Sequence, residues 1–312
     1  MNIGLLCDKN PNESTYRINF LGLLKASKKL GFNCDYVETA TSYPDIIFTQ
    51  RHVDPQNLEI SGFLQDCKSN KVKIVVFVND IYREDSFRLQ GWAKLADLIL
   101  TPTELHKQFI QSLIDVPVEV MIDAIDYNLD EYFPLNQSNN IPKICWFGYP
   151  ESYWKSMNLY QDVIEEYVNK GLMEFKLITS PNLNCNFPVI PFDNSTFIDT
   201  LRQFDGCILS HAPLDYNINT FVKSPNKLTL SITLGVPCIT SNTPSYSGIL
   251  DNTQLSQFKF SGKESFRKSL DNLLSLENRK HYLSSSQQYV LDNYSYVKMA
   301  EQLLNHISCL PK

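Results

Sequence analysis

Two lysines, a serine and an asparagine gather in "VKSPNKLTLSITLGVPCITS" (222–241), directly ahead of an apolar run that ends at a glycine. Ser224 is a good N-cap. Pro225 suits the first helical position, where its missing N–H costs nothing, and Gly235 suits the residue just past the helix end. The pattern predicts a helix over 225–234. Its free N–H groups, with Lys223, Ser224, Asn226 and Lys227 beside them, make an anion site for which phosphate is the common occupant. A plain capped helix with solvated lysines has the same spacing, and spacing alone does not separate the two.

Four other stretches carry chemistry-bearing side chains where a strand gives way to a loop. "VNDIYRED" (78–85) offers Asp80, Glu84 and Asp85 as carboxylates and Arg83 as a cation. Asp80, first after the strand, is the candidate general base. "TQRHVD" (49–54) offers His52 as a second base and Arg51 as an acceptor-binding cation. "CILSHAPLDYN" (207–217) offers Ser210, His211 and Asp215. "KNPNESTYR" (9–17) offers Ser14, Thr15 and Arg17 ahead of a helix, but contains no glycine to let a ligand approach the backbone closely. Each has a bland counterpart: a capped helix with first-turn acids, or a solvated loop histidine.

Other chemistries find little support. The five histidines (52, 106, 211, 281, 306) show no HxH or HExxH spacing, and no metal site is expected. There is no GxSxG elbow and no GxxxxGK[ST] loop. Eight cysteines form no CxxC pair, and four of them (Cys7, Cys145, Cys207, Cys238) lie in apolar runs, as reduced buried thiols do. Net charge is −6, with 13 Lys and Arg against 19 Asp and Glu in residues 1–140 and 15 against 15 in 141–312. Neither half carries the basic stripe of a nucleic-acid binder. No apolar run reaches the roughly 18 residues that span a bilayer, so no integral membrane segment is expected. The amino terminus reads directly as a strand with no basic leader, which points to a cytoplasmic protein, with peripheral attachment at the inner face of a membrane left open.

The elements that must position these residues alternate in type. Strand candidates are 2–7, 34–38, 45–50, 73–79, 97–101 and 118–122, with helical patterns at 16–30, 84–95 and 103–113. After the polar linker "QSNNIPK" (137–143) the pattern restarts with strands at 144–148, 175–180, 206–210, 237–241 and 257–261. Near-continuous apolar strands separated by helices imply parallel sheets covered on both faces. The economical fold is α/β, two Rossmann-like doubly wound domains facing a central cleft. An N-terminal domain would span 1–136 and a C-terminal one 144–293, with a helix at 294–312 able to pack back on the first. Ligands bind at the carboxyl ends of such strands.

"LADLILTPTELHKQFI" (95–110), "VPVEVMIDAIDYNLDEYFP" (116–134) and "LGVPCITSNTPSY" (234–246) are collinear motifs. In order and separation they resemble segments of GT-B glycosyltransferases, close to the retaining family 4 and its bacterial group 1 relatives. "KICWFGYPESYWKSMN" (143–158) resembles the opening of the family's donor domain. The resemblance places Gly148 in the loop that approaches the donor diphosphate and Lys155 near the phosphate-binding lysine. Tyr149 replaces the family's arginine, so its two-cation clamp is incomplete. The family's two glutamates, eight positions apart, correspond here to Val222 and Leu230. "KSPNK" is instead similar to a K-S-x-N-[KR] signature in a subset of GT-B transferases.

What the resemblance implies is a metal-independent, cofactor-free transferase. The donor is a nucleotide-sugar, held by Gly148, Lys155, Ser210, His211, Lys223, Ser224, Asn226 and Lys227. The acceptor is a glycan, glycolipid or glycoprotein, held near Arg17, Arg51 and Arg83, with Asp80 or His52 as catalytic base. Polysaccharide or glycoprotein assembly is the setting implied. A GT-B nucleotide-sugar epimerase and a non-catalytic GT-B-like binding module are the alternatives.

Overall fold

The computed structural model describes residues 1–39, 43–81, 86–136, 141–213 and 218–311. The chain forms two compact units. The first comprises Met1–Asn128, Val222–Ser224 and the tail from Tyr294; the second comprises Leu129–Phe221 and Pro225–Asn293.

Unit 1 holds six parallel strands: β1 (Asn2–Leu6), β2 (Asn33–Tyr36), β3 (Ile46–Gln50), β4 (Lys73–Phe77), β5 (Leu98–Thr101) and β6 (Val118–Val120), in the order β2-β1-β3-β4-β5-β6. The period-2 alternation of side chains sorts its core into two layers. Ile46, Phe48, Val75, Phe77, Leu98 and Leu100 face one way. They pack with α1 (Leu21–Leu30) and with the C-terminal helix of the tail, Tyr296–Ser308, which buries Tyr296, Met299, Ala300, Leu303 and Ile307 at helical spacing. Ile47, Ile74, Val76 and Ile99 face the other way, against Leu64 of α2 (Leu58–Ser69), Trp92 of α3 (Ser86–Leu95) and Ile110 of α4 (Glu104–Gln111). The helix predicted from residue 16 begins instead as a π-helical turn, Tyr16–Phe20, before continuing as α1.

Unit 2 repeats the plan with β7 (Lys143–Phe147), β8 (Glu174–Thr179), β9 (Val189–Pro191), β10 (Gly206–Leu209), β11 (Cys238–Ser241) and β12 (Lys259–Phe260). Their order is β12-β11-β10-β7-β8-β9, again all parallel. Counting from β7, this is the dinucleotide-fold order 3-2-1-4-5-6. Helices α5 (Pro150–Lys155), α6 (Gln161–Asn169), α7 (Phe197–Leu201), α8 (Ile218–Val222), α9 (Asn226–Thr233), α10 (Pro244–Asn252), α11 (Lys263–Leu274) and α12 (Leu276–Tyr294) follow in sequence, and the tail helix is α13.

Residues 129–136 form a strap on unit 2. The Phe133 N–H donates to Thr233 O at 2.7 Å, and Gln287 Nε2 donates to Phe133 O at 2.8 Å and to Ile232 O at 3.1 Å. Gly235 ends α9 with φ +76°, the left-handed conformation that glycine adopts without strain. A Cβ at that position would run into the Pro134 carbonyl oxygen. Glycine is therefore required there twice over, by backbone conformation and by space.

Candidate functional site

In an open α/β sheet the ligand crevice lies outside the carboxyl ends of the strands, where the strand order reverses. In unit 2 that point falls between β7 and β10, so the loops after Phe147 and Leu209 flank it. Those loops begin with Gly148 and Ser210–His211.

Lys227 reaches this point from the first turn of α9. Its Nζ donates to Phe147 O at 2.9 Å and lies 5.1 Å from the Phe147 ring centroid and 5.7 Å from that of Trp146. The structure thus brings Lys227 and Gly148 together. A Cβ on Gly148 would stand 2.8 Å from the Trp146 ring and 3.0 Å from Lys227 Nζ, so the loop is closed against both groups and only glycine fits. The Gly148 carbonyl is fixed by Thr179 Oγ1, which donates to it at 2.6 Å.

Ser210 is placed differently from a ligand contact. It is buried, and it accepts the Trp146 indole N–H at 3.0 Å. Its hydroxyl lies 2.8 Å from Ser156 Oγ, which itself donates to Ser152 O at 2.6 Å. The proton order that satisfies all three is Trp146 to Ser210 to Ser156 to Ser152. This chain props the Trp146 ring beneath Gly148 and ties down the end of α5. Lys155, in the last turn of that helix, is exposed.

His211 donates its backbone N–H to Ser241 Oγ at 3.0 Å, and its Nε2 lies 3.0 Å from the hydroxyl of buried Tyr246, ring on ring at 5.1 Å. Burial pushes the Tyr246 phenol far above its ordinary range, so it stays an O–H and can hold the imidazole in place. Thr243, at the N-cap of α10, has a buried hydroxyl with no hydrogen-bond partner among the described residues.

The "KSPNK" segment divides. Helix α9 starts at Asn226 with Pro225 as its N-cap, and no side-chain cap bond is made, which corrects the expectation that Ser224 caps it. Ser224 is buried, and 222–224 belongs to unit 1, whereas Pro225 onward belongs to unit 2. In unit 1, Thr103 Oγ1 donates to Val222 O at 2.7 Å. Lys223 Nζ stands 3.9 Å from Asp80 Oδ1, a half-exposed pair whose direct energetic worth is small. The candidate base and one candidate phosphate lysine are therefore neighbours of each other.

The order in unit 1 reverses between β1 and β3; the π-helical turn that follows β1 carries Thr15 at its N-cap and Arg17, and the turn after β3 carries Arg51 and His52. Arg51 is buried; its Nε donates to Asn79 Oδ1 at 3.2 Å, and Asn79 Nδ2 donates to Thr15 Oγ1 at 2.5 Å. His52 Nε2 is 3.5 Å from Arg51 Nη2. Partial desolvation, and then the Arg51 charge, hold the His52 pKa below its ordinary value, so near neutral pH the ring is uncharged and able to accept a proton. Arg17 is committed within the fold: Nε and Nη2 grip Asp126 at 2.9 and 2.7 Å, and Nη1 donates to Pro11 O at 2.8 Å. Arg83, Glu84, Asp85 and Asp215 lie outside the described residues. Asn79, Trp146 and Thr179 escaped the sequence reading. Each lies within a stretch already named, but their side-chain partners are 28–64 residues away. Among the described residues no His, Cys, Asp and Glu side chains cluster to hold a metal, and no helix is long and apolar enough to cross a membrane.

No family model matches the sequence, and no curated protein does. Solved structures do. A glycosyltransferase from Rickettsia africae ESF-5 aligns with a TM-score of 0.62 at 11% identity, over 97% of this chain and 96% of that one. TarM aligns at 0.62 and 13% identity, over 91% of this chain and 57% of its own. The pneumococcal O-GlcNAc transferase GtfA, solved with UDP and GlcNAc, aligns at 0.55 and 9% identity, over 84% and 56%. This chain thus spans little more than half the length of TarM and GtfA. The likeness is one of fold: α/β, with two Rossmann-like domains of the GT-B class.

Proposed function

We propose that the protein is a glycosyltransferase that takes its sugar from a nucleotide-activated donor, and that unit 2 binds this donor. The observation that carries the reading is the Lys227 ammonium held at the Gly148 loop, at the strand-order reversal of a sheet with dinucleotide-fold topology. Negative charge grows on the departing diphosphate as the glycosidic bond breaks. A preorganised ammonium, with the N–H groups at the start of α9, stabilises that charge, usually the largest catalytic term. Lys155, exposed at the end of α5, supplies a second cation once a diphosphate is bound. In this reading the reaction needs no metal ion, and transfer persists in EDTA.

Unit 1 holds the acceptor, a glycan, glycolipid or glycoprotein, through Arg51. The Thr15–Asn79–Arg51 chain fixes that guanidinium. Asp80 or neutral His52 takes the acceptor hydroxyl proton. Ser210 and Arg17 act through the groups they hold in place. The reduced thiols agree with a cytoplasmic setting in polysaccharide or glycoprotein assembly.

A second reading, a binding module without transfer, is favoured by one observation. Val222 and Leu230 stand where the resembled family has its glutamates, and both are buried. Calorimetry with UDP, GDP, dTDP, ADP and CMP decides the first point, UDP taking precedence because GtfA was solved with it. One nucleotide is expected to bind, with Lys227→Ala weakening it tenfold or more, about 1.4 kcal/mol. Equal affinity in the variant sinks the assignment of Lys227. Release of free nucleotide from the matching nucleotide-sugar, dependent on added acceptor, then separates transferase from binding module.

A further inference from the structure

Of the three tryptophans, Trp92 and Trp146 are buried, whereas Trp154, on α5 of unit 2, is 49% exposed. Tryptophan is highly buried on average, so a half-exposed indole leaves a large apolar area in water. The ring is also held still. Trp146 and Tyr153 meet edge to face at 5.7 Å and 79°, and Tyr153 and Trp154 do so at 5.3 Å and 86°. Tyr153 has no exposed surface, and its hydroxyl donates to Gln161 Oε1 at 3.2 Å. The Trp146 end of the row is fixed by the hydroxyls of Ser210 and Ser156. A perpendicular contact covers at most one face of the indole, and Trp154 makes no other ring or cation contact among the described residues. Glu151 precedes it by three positions on α5, the spacing that makes neighbours of helical side chains. Glu151 is exposed and has neither a hydrogen bond nor an ion pair among the described residues.

We infer that Trp154 and Glu151 form a glycan-holding site on unit 2, where one pyranose residue of an oligosaccharide acceptor stacks on the indole; this rests on the transferase reading. A pyranose ring carries C–H groups on its faces and hydroxyls round its rim. The indole meets the C–H face through dispersion, and a carboxylate, which only accepts, takes bonds from the rim hydroxyls. Other occupants fit less well. A cation would be drawn to the indole and to Glu151, but exposed Lys155 follows Trp154, so the group is neutral as a whole. That neutrality also gives anionic lipid little to hold. A stable protein partner needs a far larger face than one ring. The Trp146 and Tyr153 rings separate Trp154 from the Lys227 ammonium, so this site is distinct from the one assigned to the donor. The acceptor class narrows accordingly, to chains with at least one sugar beyond the one that reacts.

The test is calorimetric titration of maltohexaose, cellohexaose and chitohexaose, with choline and phosphatidylcholine vesicles alongside, into wild type, Trp154→Ala, Trp154→Leu, Trp154→Phe and Glu151→Ala. At least one hexasaccharide is expected to bind wild type. Trp154→Ala weakens it about tenfold, the size of a lost aromatic contact, and Glu151→Ala weakens it severalfold. Trp154→Phe keeps most of the affinity. The nucleoside diphosphate that binds wild type binds Trp154→Ala equally well. Thermal melts check folding, and Trp154→Leu, which keeps apolar packing on Tyr153, carries the comparison if the alanine variant fails to fold. Failure of all three hexasaccharides to bind wild type overturns the inference, and so does equal affinity in wild type and the Trp154 variants. Binding of choline or vesicles through Trp154, with no hexasaccharide bound, overturns it in favour of a cation or a membrane. Each of these results leaves the donor site standing while nucleotide still binds. If wild type binds no nucleoside diphosphate, the transferase reading fails and the acceptor role of Trp154 falls with it.

Discussion

His106 sits on the inward face of α4 with none of its surface exposed, and neither ring nitrogen has a hydrogen-bond partner among the described residues. Burial, reinforced by the charge of Arg51, pushes its pKa down to about 3. In the unfolded chain the same ring titrates near its ordinary value of about 6.5. The sign follows directly. Below about pH 6.5 the unfolded chain takes up a proton that the folded chain refuses, so acidification favours unfolding. The loss grows until about pH 3, where the folded form also protonates. At pH 5 the difference comes to about 2 kcal/mol, a large share of the stability of an ordinary domain. His106→Leu is close in volume and removes the titration. Urea unfolding at pH 7.5, 6 and 5, followed through Trp92, which lies in the same core layer as Ile110 of α4, reads the effect. The variant is expected to match or exceed wild type at pH 7.5, and its stability should fall with pH by about one proton less. An identical pH dependence in the two proteins would refute the reasoning, because it requires an imidazole that takes up its proton in the fold as readily as in the unfolded chain. The outcome bears on function too: an imidazole that burial keeps neutral near pH 7 and that has no exposed surface is a core residue, whatever the company it keeps in sequence.

Three further predictions rest on separate features. Gly235→Ala forces a Cβ into the left-handed conformation and into the Pro134 carbonyl, so unit 2 should lose at least about 2 kcal/mol, seen as a lowered urea midpoint; an unchanged midpoint would mean that the 129–136 strap gives way freely. Arg17→Met leaves the Asp126 carboxylate buried without its bidentate partner and should cost about 3–5 kcal/mol, while Arg17→Met with Asp126→Leu recovers much of that; a single variant as stable as wild type would return Arg17 to the list of ligand-binding cations. In native protein a thiol reagent should modify Cys309 first and leave Cys67, Cys145, Cys207 and Cys238 untouched until urea is added, and rapid labelling of any of those four would show that the cores open readily.

Much of this architecture is local physics and is therefore visible in the sequence. Apolar strands such as "KIVVF" and "KICWF" alternate with helical segments, and that alone demands parallel sheets covered on both sides. Gly235 could be placed at a helix end because its conformational requirement belongs to one residue. Strand β9 was missed because it has three residues and ends in proline, too short for any period to register. The site was harder for a different reason. Arg17 and Arg51 look alike in the sequence, each an arginine after a strand, yet the first is taken by a carboxylate 109 residues away and the second is tied to Asn79. No local pattern encodes which cation the fold consumes. Ser224 illustrates the same limit: its type and spacing fit a cap, but 222–224 packs with unit 1 and the helix starts two residues later. The place of Lys227 in the first turn of a helix was legible because local pattern supplies it. Its meeting with Phe147 O and the Gly148 loop was not, because that contact depends on β10 lying beside β7, an order that belongs to the folded sheet; the sequence joined the two residues only through the family resemblance. A residue's place on its own helix can be read before the structure is seen, and one defined by a distant partner cannot.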